Sequence, residues 1–321
     1  MYLVFDIGGT FVKYAIMNDN GDIFENEKYP APSGIGQGID DLLEGIENKY
    51  RGFKSSYDIE GIAISLPGQI DVENGIVYGG GILKYLDKVK LGELISNRCD
   101  GLRVSLENDG KCAALCEAWL GNASDVKNAY VLVIGTGIGG GMIIDHHVHH
   151  GSSFVAGEVS YTIDNMNRSQ VDSIQTAETI EGLGATLDSM PYSMSARCAT
   201  GGICLKVSKL KGMDIKDVSG ELIYQWVSEG DAQIADIVED WYFEIAKACV
   251  NIYLIFNPDT ILIGGGISAQ PLFIEGIKKY VDKLKKMTYV LNNLKVDVCK
   301  YRNRSNLYGA VMNFKQLYYN E

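Results

Sequence analysis

Two glycine-rich stretches of this chain repeat one pattern, and that repeat constrains the fold more than any other feature. Val4–Thr10 reads VFDIGGT, and Val131–Gly137, much further along the chain, reads VLVIGTG. Each stretch is an apolar run that enters a glycine turn, followed by a second apolar run and a polar turn. Each therefore predicts a strand, a glycine hairpin and a second strand. The repeat is short and its identity is low, but it favours a duplicated architecture.

The second stretch also has the G-x-G-x-x-G spacing of a dinucleotide-binding turn, at Gly135, Gly137 and Gly140. In that motif a helix must follow the glycines, because the pyrophosphate lies at the helix N-terminus. Here GGGMIIDHHVHHG follows, with β-branched isoleucines before a polar turn, so we predict a strand instead. An NAD-binding oxidoreductase is therefore a weak alternative.

Further elements follow from periodicity and from turn residues. The length of 321 residues suits two domains or one large α/β unit. We predict strands at 2–7, 11–17, 22–29, 61–68, 102–110 and 260–268, and helices from about 39, 111 and 271, with a long buried helix that ends before Pro258. The first three strands would form an antiparallel meander.

The composition excludes several classes of partner. The net charge is −12, and a nucleic-acid binder usually needs a basic face. The lysines of KKYVDKLKKM, 278–287, are interpreted as the solvent face of an amphipathic helix. No apolar run long enough to span a bilayer and no signal-peptide pattern occur, so we expect no membrane partner. Seven cysteines without a C-x-x-C pair indicate reduced, buried thiols in a cytoplasmic protein.

Two glycine hairpins predict a polyphosphate site, and a third glycine cluster predicts a place for a nucleoside. Glycines in a strand–strand turn let backbone N–H groups approach an anion, and two facing hairpins would hold it from both sides. Asp6 would repel phosphate unless a cation lay between them, so Asp6 is a candidate Mg²⁺ ligand. The third cluster, Gly264–Gly266, follows a strand and suits an adenine or ribose. Buried hairpins and tight packing are the structural alternatives.

Asn108-Asp109 is the candidate for chemistry. It lies where a predicted strand meets a predicted helix, whose N-terminal dipole favours an ionised Asp109. Phosphoryl transfer to an alcohol needs a carboxylate that accepts the hydroxyl proton. A plain helix cap at Asn108 or Asp109 is the alternative for this motif taken alone.

Six motifs together resemble the ROK family of sugar kinases and repressors. They are DIGGT near the start, SLPG at 65–68, ENDGKCAALCE at 107–117, GTGIGGG at 135–141, AGEVSY at 156–161 and ILIGGGIS at 261–268. They follow the family's order and nearly its spacing over almost the whole chain. The resemblance implies an α/β, actin-like (ribonuclease H-like) duplicated ATPase fold with two lobes and a cleft between them. Family repressors carry a helix-turn-helix domain in front, and this chain opens on the first strand, so we expect a kinase.

The resemblance also implies roles for individual residues, with ATP and Mg²⁺ as cofactors. Asp109 would be the catalytic base toward a sugar 6-hydroxyl. The sugar would contact Asn108, Glu158, Pro67 and Gly68. ATP and its phosphates would contact Asp6, Gly8, Gly9, Thr10, Lys13, Thr136, Gly137, Gly265 and Gly266. Asp6 would hold Mg²⁺, directly or through water.

Departures from the family pattern narrow the substrate. Zinc-containing members have Gly-Glu-x-Gly-His and a tight cysteine cluster. Residues 157–161 read GEVSY, and Cys198 and Cys204 lack the cluster spacing, so we expect no zinc. The family's sugar-binding glutamate near 195–200 and Asn-Leu pair near 81–83 are also replaced. This pattern is similar to the zinc-free branch that includes β-glucoside kinases, which phosphorylate the terminal glucose of a disaccharide such as cellobiose.

The remaining expectations concern alternatives and organisation. A glucokinase, an N-acetylmannosamine kinase or a non-catalytic sugar sensor stay open. We expect an N-terminal lobe at 1–109 with a C-terminal helix at 306–321 packed on it, a second lobe at 110–305 and a homodimer. The four histidines of HHVHH, His146 to His150, are interpreted as a solvated hairpin turn with only Val148 facing inward.

Overall fold

The structure is a computed structural model that describes residues 1–34, 36–81, 83–173, 187, 190–302 and 304–319. The chain divides into two compact units. The first comprises Met1–Lys127, Gly141–Gly157 and Asn303–Glu321, and the second comprises Asn128–Gly140 and Glu158–Arg302. The lobe boundaries expected near residues 109 and 305 stay predictions.

A five-stranded mixed sheet forms the centre of the first unit. The strands of this part of the chain are β1 (Tyr2–Ile7), β2 (Phe11–Met17), β3 (Ile23–Pro30), β4 (Gly61–Leu66), β5 (Gln69–Asp71), β6 (Ile76–Tyr78) and β7 (Arg103–Asn108). The sheet order is β3-β2-β1-β4-β7, with β1, β2 and β3 antiparallel and β1, β4 and β7 parallel. The predicted meander is therefore confirmed. β5 and β6 form a small separate hairpin that was not predicted.

Helices cover both faces of this sheet. They are α1 (Ile39–Phe53), α2 (Leu91–Arg98), α3 (Asp109–Trp119) and, from the C-terminal end of the chain, a helix at Ser305–Tyr319. α1 buries Leu42, Leu43 and Ile46, as the helical spacing of apolar residues predicted. The C-terminal helix inserts Phe314 so close to Gly61 of β4 that a Cβ on Gly61 would collide with the ring. Both faces of the sheet are therefore buried, which explains why β1 and β4 are apolar over most of their length.

The second sheet repeats the strand order of the first. Its strands are β8 (Ala129–Ile134), β9 (Ile138–Ile144), β10 (His147–Val148), β11 (Thr260–Gly264) and β12 (Val296–Val298). The order is β10-β9-β8-β11-β12, with β8, β11 and β12 parallel. β9 begins in the second unit and ends in the first. A strand, not a helix, follows Gly135 and Gly137, so the loop lacks the helix that a dinucleotide-binding turn needs.

The remaining described helices belong to the second unit. They are α4 (Met194–Cys198), α5 (Thr200–Lys211), α6 (Gly220–Ser228), α7 (Ala232–Phe256) and α8 (Pro271–Lys285), and the C-terminal helix is α9. α7 ends at Phe256, before Pro258 as the sequence predicted, and its C-cap Asn257 adopts a left-handed φ of 51°. The lysines of α8 lie on its solvent side, where Lys278 pairs with Asp297 and Lys279 with Glu239.

Burial agrees with the expectations drawn from composition. All seven cysteines are buried as free thiols. Burial raises the pKa of the Cys198 and Cys249 thiols to about 12, so both are neutral at physiological pH. Among the described residues, no helix combines the length and the apolar character that crossing a bilayer requires.

Candidate active site

The junction of β7 and α3 presents Asn108 and Asp109. Asn108 is the N-cap of α3, and its Oδ1 accepts a hydrogen bond from the Lys111 backbone N–H at 3.1 Å. Asp109 is the first residue of the helix, and its Oδ1 accepts from the Gly110 N–H at 2.8 Å. Asn108, and not Asp109, is therefore the cap. The start of α3 places the Asp109 carboxylate at the positive end of the helix dipole, which favours its ionised form.

The Pro67-Gly68 turn lies directly beside this junction. The Asn108 side-chain amide donates a hydrogen bond to the Gly68 carbonyl at 3.0 Å. Gly68 has a φ of +115°, and a Cβ there would lie 2.7 Å from the Gly79 carbonyl oxygen, so only glycine fits. The structure thus brings three of the predicted sugar-binding residues together. Asn108 keeps one amide N–H and one oxygen lone pair for a ligand.

The first glycine hairpin connects β1 to β2. The Gly8 N–H donates to the Phe11 carbonyl at 3.0 Å, and the Thr10 carbonyl accepts from the Ala31 N–H at 2.9 Å. Gly9 lies between them at the tip of the turn, and Thr10 is exposed. The hairpin was predicted from the glycines and is confirmed as a structure. Its contact with phosphate stays a prediction.

Asp6, at the end of β1, is held from two sides. Its Oδ2 accepts from the Lys13 ammonium at 3.0 Å, and its Oδ1 accepts from the Asn306 side-chain amide at 3.0 Å. Asp6 is only 8% exposed, whereas the Lys13 side chain is 43% exposed. Each Asp6 oxygen keeps a further lone pair, so this carboxylate fits a hydrated Mg²⁺ as an oxygen ligand. Sequence reasoning missed Asn306, which is 300 residues away.

A row of polar side chains crosses the first sheet on neighbouring strands. The polar row consists of Lys13 on β2, Asp6 on β1, Ser65 on β4 and Glu107 on β7. Ser65 and Glu107 are fully buried. Beneath the row, burial and, secondarily, the Glu107 carboxylate raise the pKa of the Cys112 thiol well above its usual value. The thiol is therefore neutral, and the carboxylates of Glu107, Asp6 and Asp109 all act on it in the same direction.

Glu107 is paired with a histidine that sequence reasoning had placed in solvent. His150 Nε2 lies 2.7 Å from Glu107 Oε2, and the His150 side chain is only 24% exposed. The expectation that all four histidines face water is therefore wrong for His150. It holds for His146, His147 and His149, which are exposed. The sequence could not distinguish His150 from its three neighbours, because the register that turns one histidine inward is set by tertiary packing.

A cavity of about 410 Å³ lies within the second unit, at the ends of β8 and β11. Its lining includes Ile134, Gly135, Thr136, Thr200, Gly201, Cys204, Ser219, Glu221, Gly266, Ile267 and Gln270. Gly265 has a φ of +97°, and a Cβ on it would collide with the Ile134 carbonyl, so glycine is required there. A Cβ on Gly266 would meet open space. The cavity has the size of a nucleoside site and is lined largely by small residues.

The remaining residues predicted to bind ATP or sugar lie in the second glycine hairpin and at Glu158. The Gly135 N–H donates to the Gly137 carbonyl at 3.0 Å, which closes the turn beside the cavity. Glu158 is half-buried and immediately precedes a 3-10 turn at Val159–Tyr161. At the opening of α6, a hydrogen bond from the Glu221 backbone N–H and one from the Ser219 hydroxyl lower the pKa of the Glu221 carboxyl.

Two further expectations concern metal-binding side chains and the replaced sugar ligands. Within the described ranges, no group of three or more His, Cys, Asp or Glu side chains could hold a metal ion. The expected lack of zinc stays a prediction. Residue 82, in the stretch 81–83 where the Asn-Leu pair is expected to be replaced, lies outside the described residues.

Comparison with known proteins decides the family. The model of the ROK family matches residues 2–317. The chain belongs to the ROK family. This confirms the resemblance seen in the six motifs, and with it the α/β, actin-like ATPase fold.

Three relatives of this ROK protein are informative. A β-glucoside kinase from Klebsiella pneumoniae is 31% identical over 98% of this chain and 96% of its own length. A β-glucoside kinase from Listeria monocytogenes is 29% identical over 97% of this chain and 96% of its own length. The crystal structure of a ROK family protein from Streptococcus pneumoniae in complex with sucrose superposes with a TM-score of 0.82, at 29% identity, over 100% of this chain and 99% of that one.

Proposed function

We propose that this chain is an ATP-dependent sugar kinase that phosphorylates the 6-hydroxyl of a terminal glucose in a β-glucoside such as cellobiose. The observation that carries the proposal is the position of Asp109. It is the first residue of α3, follows an N-cap asparagine, and lies beside the Gly68 turn. A carboxylate held ionised in this way can accept a proton from a bound alcohol.

The proposed reaction follows from that geometry. The Asp109 carboxylate accepts the proton of the sugar 6-hydroxyl while the hydroxyl oxygen forms a bond to the γ-phosphorus. The bond between that phosphorus and the β,γ-bridging oxygen breaks, and ADP leaves with the electron pair. Asn108, Gly68, Pro67 and Glu158 would orient the sugar. The remaining Asn108 N–H and lone pair suit a hydroxyl group, which both donates and accepts.

The predicted ATP contacts are proposed for each unit by itself. Adenosine would occupy the second-unit cavity against Gly265, Gly266 and Thr136, where the required glycine brings backbone close to a flat ligand. The hairpin residues Gly9, Thr10 and Gly137 would donate N–H or O–H groups to phosphate oxygens, and Lys13 would add a positive charge. Gly8, whose N–H already donates to the Phe11 carbonyl, would let the phosphate approach the turn without a side chain in the way. Asp6 would hold Mg²⁺ through water, and the ion would neutralise phosphate charge when bound.

The substrate class rests on the relatives. Two proteins about 30% identical to this chain over almost their full length carry the name β-glucoside kinase. The Streptococcus pneumoniae relative holds sucrose, a disaccharide. We infer that this chain also accepts a two-ring substrate. Glucokinase or N-acetylmannosamine kinase activity, or a non-catalytic sensor, would be the outcome if that inference fails.

We also propose a cytoplasmic homodimer. Seven buried free thiols suit a reducing compartment. Exposed apolar residues on the second unit, among them Ile255 and Tyr289, would be covered by a second copy. Sedimentation equilibrium would test the dimer: a mass of one chain, 35.2 kDa, would contradict it.

The test of the function is Mg²⁺-ATP-dependent release of ADP by the purified protein. Cellobiose, glucose, N-acetylmannosamine and no sugar are the substrates to compare. We expect strong turnover on cellobiose and a fall in kcat of about 100- to 10,000-fold in Asp109→Asn. Asp125→Asn, at an exposed aspartate, is the matched control and should behave as the wild type.

Each other outcome has a definite meaning. Turnover restricted to a monosaccharide would keep the kinase and the base and overturn the β-glucoside assignment. Full activity in Asp109→Asn would refute the base. ATP binding without turnover on any sugar of a wider panel would indicate a sensor.

A further inference from the structure

The carboxylate of Glu107 joins two chain segments that are 43 residues apart. Its Oε1 accepts a hydrogen bond from the Asn108 backbone N–H at 2.7 Å, and its Oε2 lies 2.7 Å from His150 Nε2. Glu107 is 0% exposed. A carboxylate accepts hydrogen bonds, and the histidine tautomer with its hydrogen on Nε2 donates to it in this contact. One oxygen thus holds the residue before Asp109, and the other holds His150.

His150 begins the loop that leads to Glu158. The His150 carbonyl accepts from the Ala156 N–H at 3.1 Å, which folds the loop back on itself. Gln69, one residue after Gly68, donates its side-chain amide to the Ser153 carbonyl. At the end of the loop, Gly157 has a φ of +84° and packs against Gly141 and Met142. The loop is therefore fixed at its start, its middle and its end within the first unit.

We propose that Glu107 and His150 are a positioning pair. The pair holds the Asn108-Asp109 junction and the loop at 150–157, which precedes Glu158, in one fixed arrangement. The inference rests on the proposed function, since it concerns how Asp109 and Glu158 are presented to the sugar. The pair does not touch the reacting atoms. It acts through the Asn108 backbone on one side and through the 150–157 loop on the other.

The physical reason is the cost of a buried charge. A carboxylate without exposure to water must be satisfied by protein donors, and a charge-assisted hydrogen bond is stronger than a neutral one. Removing the His150 donor leaves Glu107 with an unmet acceptor. The carboxylate must then shift toward water or another donor, and Asn108, which it also holds, shifts with it. A small displacement of a catalytic group lowers the rate steeply.

The experiment compares three single variants of the full chain. His150→Ala removes the donor. His150→Gln restores an N–H near the position of Nε2. His149→Ala, at an exposed neighbour in the same turn, is the control. Steady-state kinetics with varied sugar and varied ATP give kcat and both KM values, and thermal unfolding gives stability.

We expect His150→Ala to lower kcat/KM for the sugar by about 10- to 100-fold. The fall should include a higher sugar KM, and the ATP KM should stay within about twofold, because the loop leads to a sugar ligand. His150→Gln should recover most of the loss. His149→Ala should match the wild type. A lower melting temperature in His150→Ala with unchanged kcat and KM values would overturn the inference and leave a purely structural pair.

A second measurement does not depend on turnover. Hydrogen–deuterium exchange should be faster in His150→Ala than in His149→Ala at both segments, residues 106–112 and 150–157. Faster exchange at the loop alone would refute the coupling. If the wild type shows no kinase activity, the proposed function fails while this measurement still decides whether the pair couples the two segments.

Discussion

The two sheets share one strand order, but the same row of positions carries different residues in each. In the first sheet that row is the polar row, from Lys13 to Glu107. In the second sheet the internal repeat and the register of β8, β11 and β12 place Gly140, Val133, Gly264 and Cys299 at the equivalent positions. The second row holds no charge. Its residues are small or apolar, and a Cβ on Gly264 would lie 3.0 Å from Cys299 Sγ.

The difference shows that one strand order carries charged side chains in one sheet and small or apolar residues in the other. Where the row carries charged side chains, the strand ends can hold cations, position protons and present a base. Where the row is small, the strand ends border a cavity whose lining includes glycine backbone. The fold alone therefore does not determine the chemistry of either half.

Among the changes that test this comparison, the largest effect is expected when a residue of the polar row is replaced by its equivalent from the second sheet. Asp6→Val should lower kcat on the order of 100-fold, because it removes the carboxylate that would hold Mg²⁺ and that balances Lys13. The backbone should tolerate valine, since Val133 occupies the equivalent position. Adenosine affinity, measured by calorimetry, should stay within about twofold, because the cavity lies in the other unit. Wild-type kcat in this variant would remove Asp6 from the proposed site.

A smaller effect is expected from substituting glycines of the second unit. Gly265→Ala should destabilise the protein by about 2 kcal/mol or more, because alanine is strained at a φ of +97° and its Cβ collides with the Ile134 carbonyl. Gly266→Ala, whose Cβ meets open space, should change stability by less than about 0.5 kcal/mol and act on the ATP KM instead. Urea unfolding separates the two. Equal stability would show that the backbone at Gly265 relaxes readily.

The smallest effect concerns charges of the second unit that lie outside the row. The pKa of Asp164 is lowered by its hydrogen bond and ion pair with Arg197, at 2.5 Å. The ionised carboxylate is thus favoured in the folded state, and its contribution is complete at neutral pH and lost as the pH falls through the lowered pKa, below 3.8.

Asp164→Asn tests whether the ionised Asp164 carboxylate stabilises the folded state. The variant should be less stable than the wild type by about 1 kcal/mol or less at pH 7, since Asp164 is 43% exposed. The difference between the two free energies of unfolding should shrink as the pH falls below 3.8. Urea titrations across this range measure it. A difference that grows in acid would reverse the assignment.

Much of the fold was accessible from sequence because its signals are local. The glycine turns, the alternation of strands and helices, Pro258 and Pro271 each act within a few residues of the structure they determine. The internal repeat predicted that both halves open with one hairpin, and the identical strand orders agree with it. The junction at Asn108-Asp109 was also local, because a cap lies next to its helix.

The parts that sequence did not reveal depend on distant packing. Asn306 reaches Asp6 only because α9 packs on the first sheet. The residues near Asp6 and Asn306 in the sequence give no sign of that packing. His150 pairs with Glu107 because the chain just after β10 faces β7, which the four similar histidines could not indicate. The β5–β6 hairpin was missed because each strand has only three residues, too few for a period to show.

The position of α9 has a consequence for how the chain folds during synthesis. Phe314, Ala310 and Leu307 of α9 complete the core beneath Tyr2 and Val4. The ribosome makes these residues after Arg302, the C-terminal residue of the second unit. Vectorial synthesis usually lets the N-terminal domain fold first. In this protein β1 lacks the α9 side of its core until the second unit has been synthesised, so the second unit can close before the first.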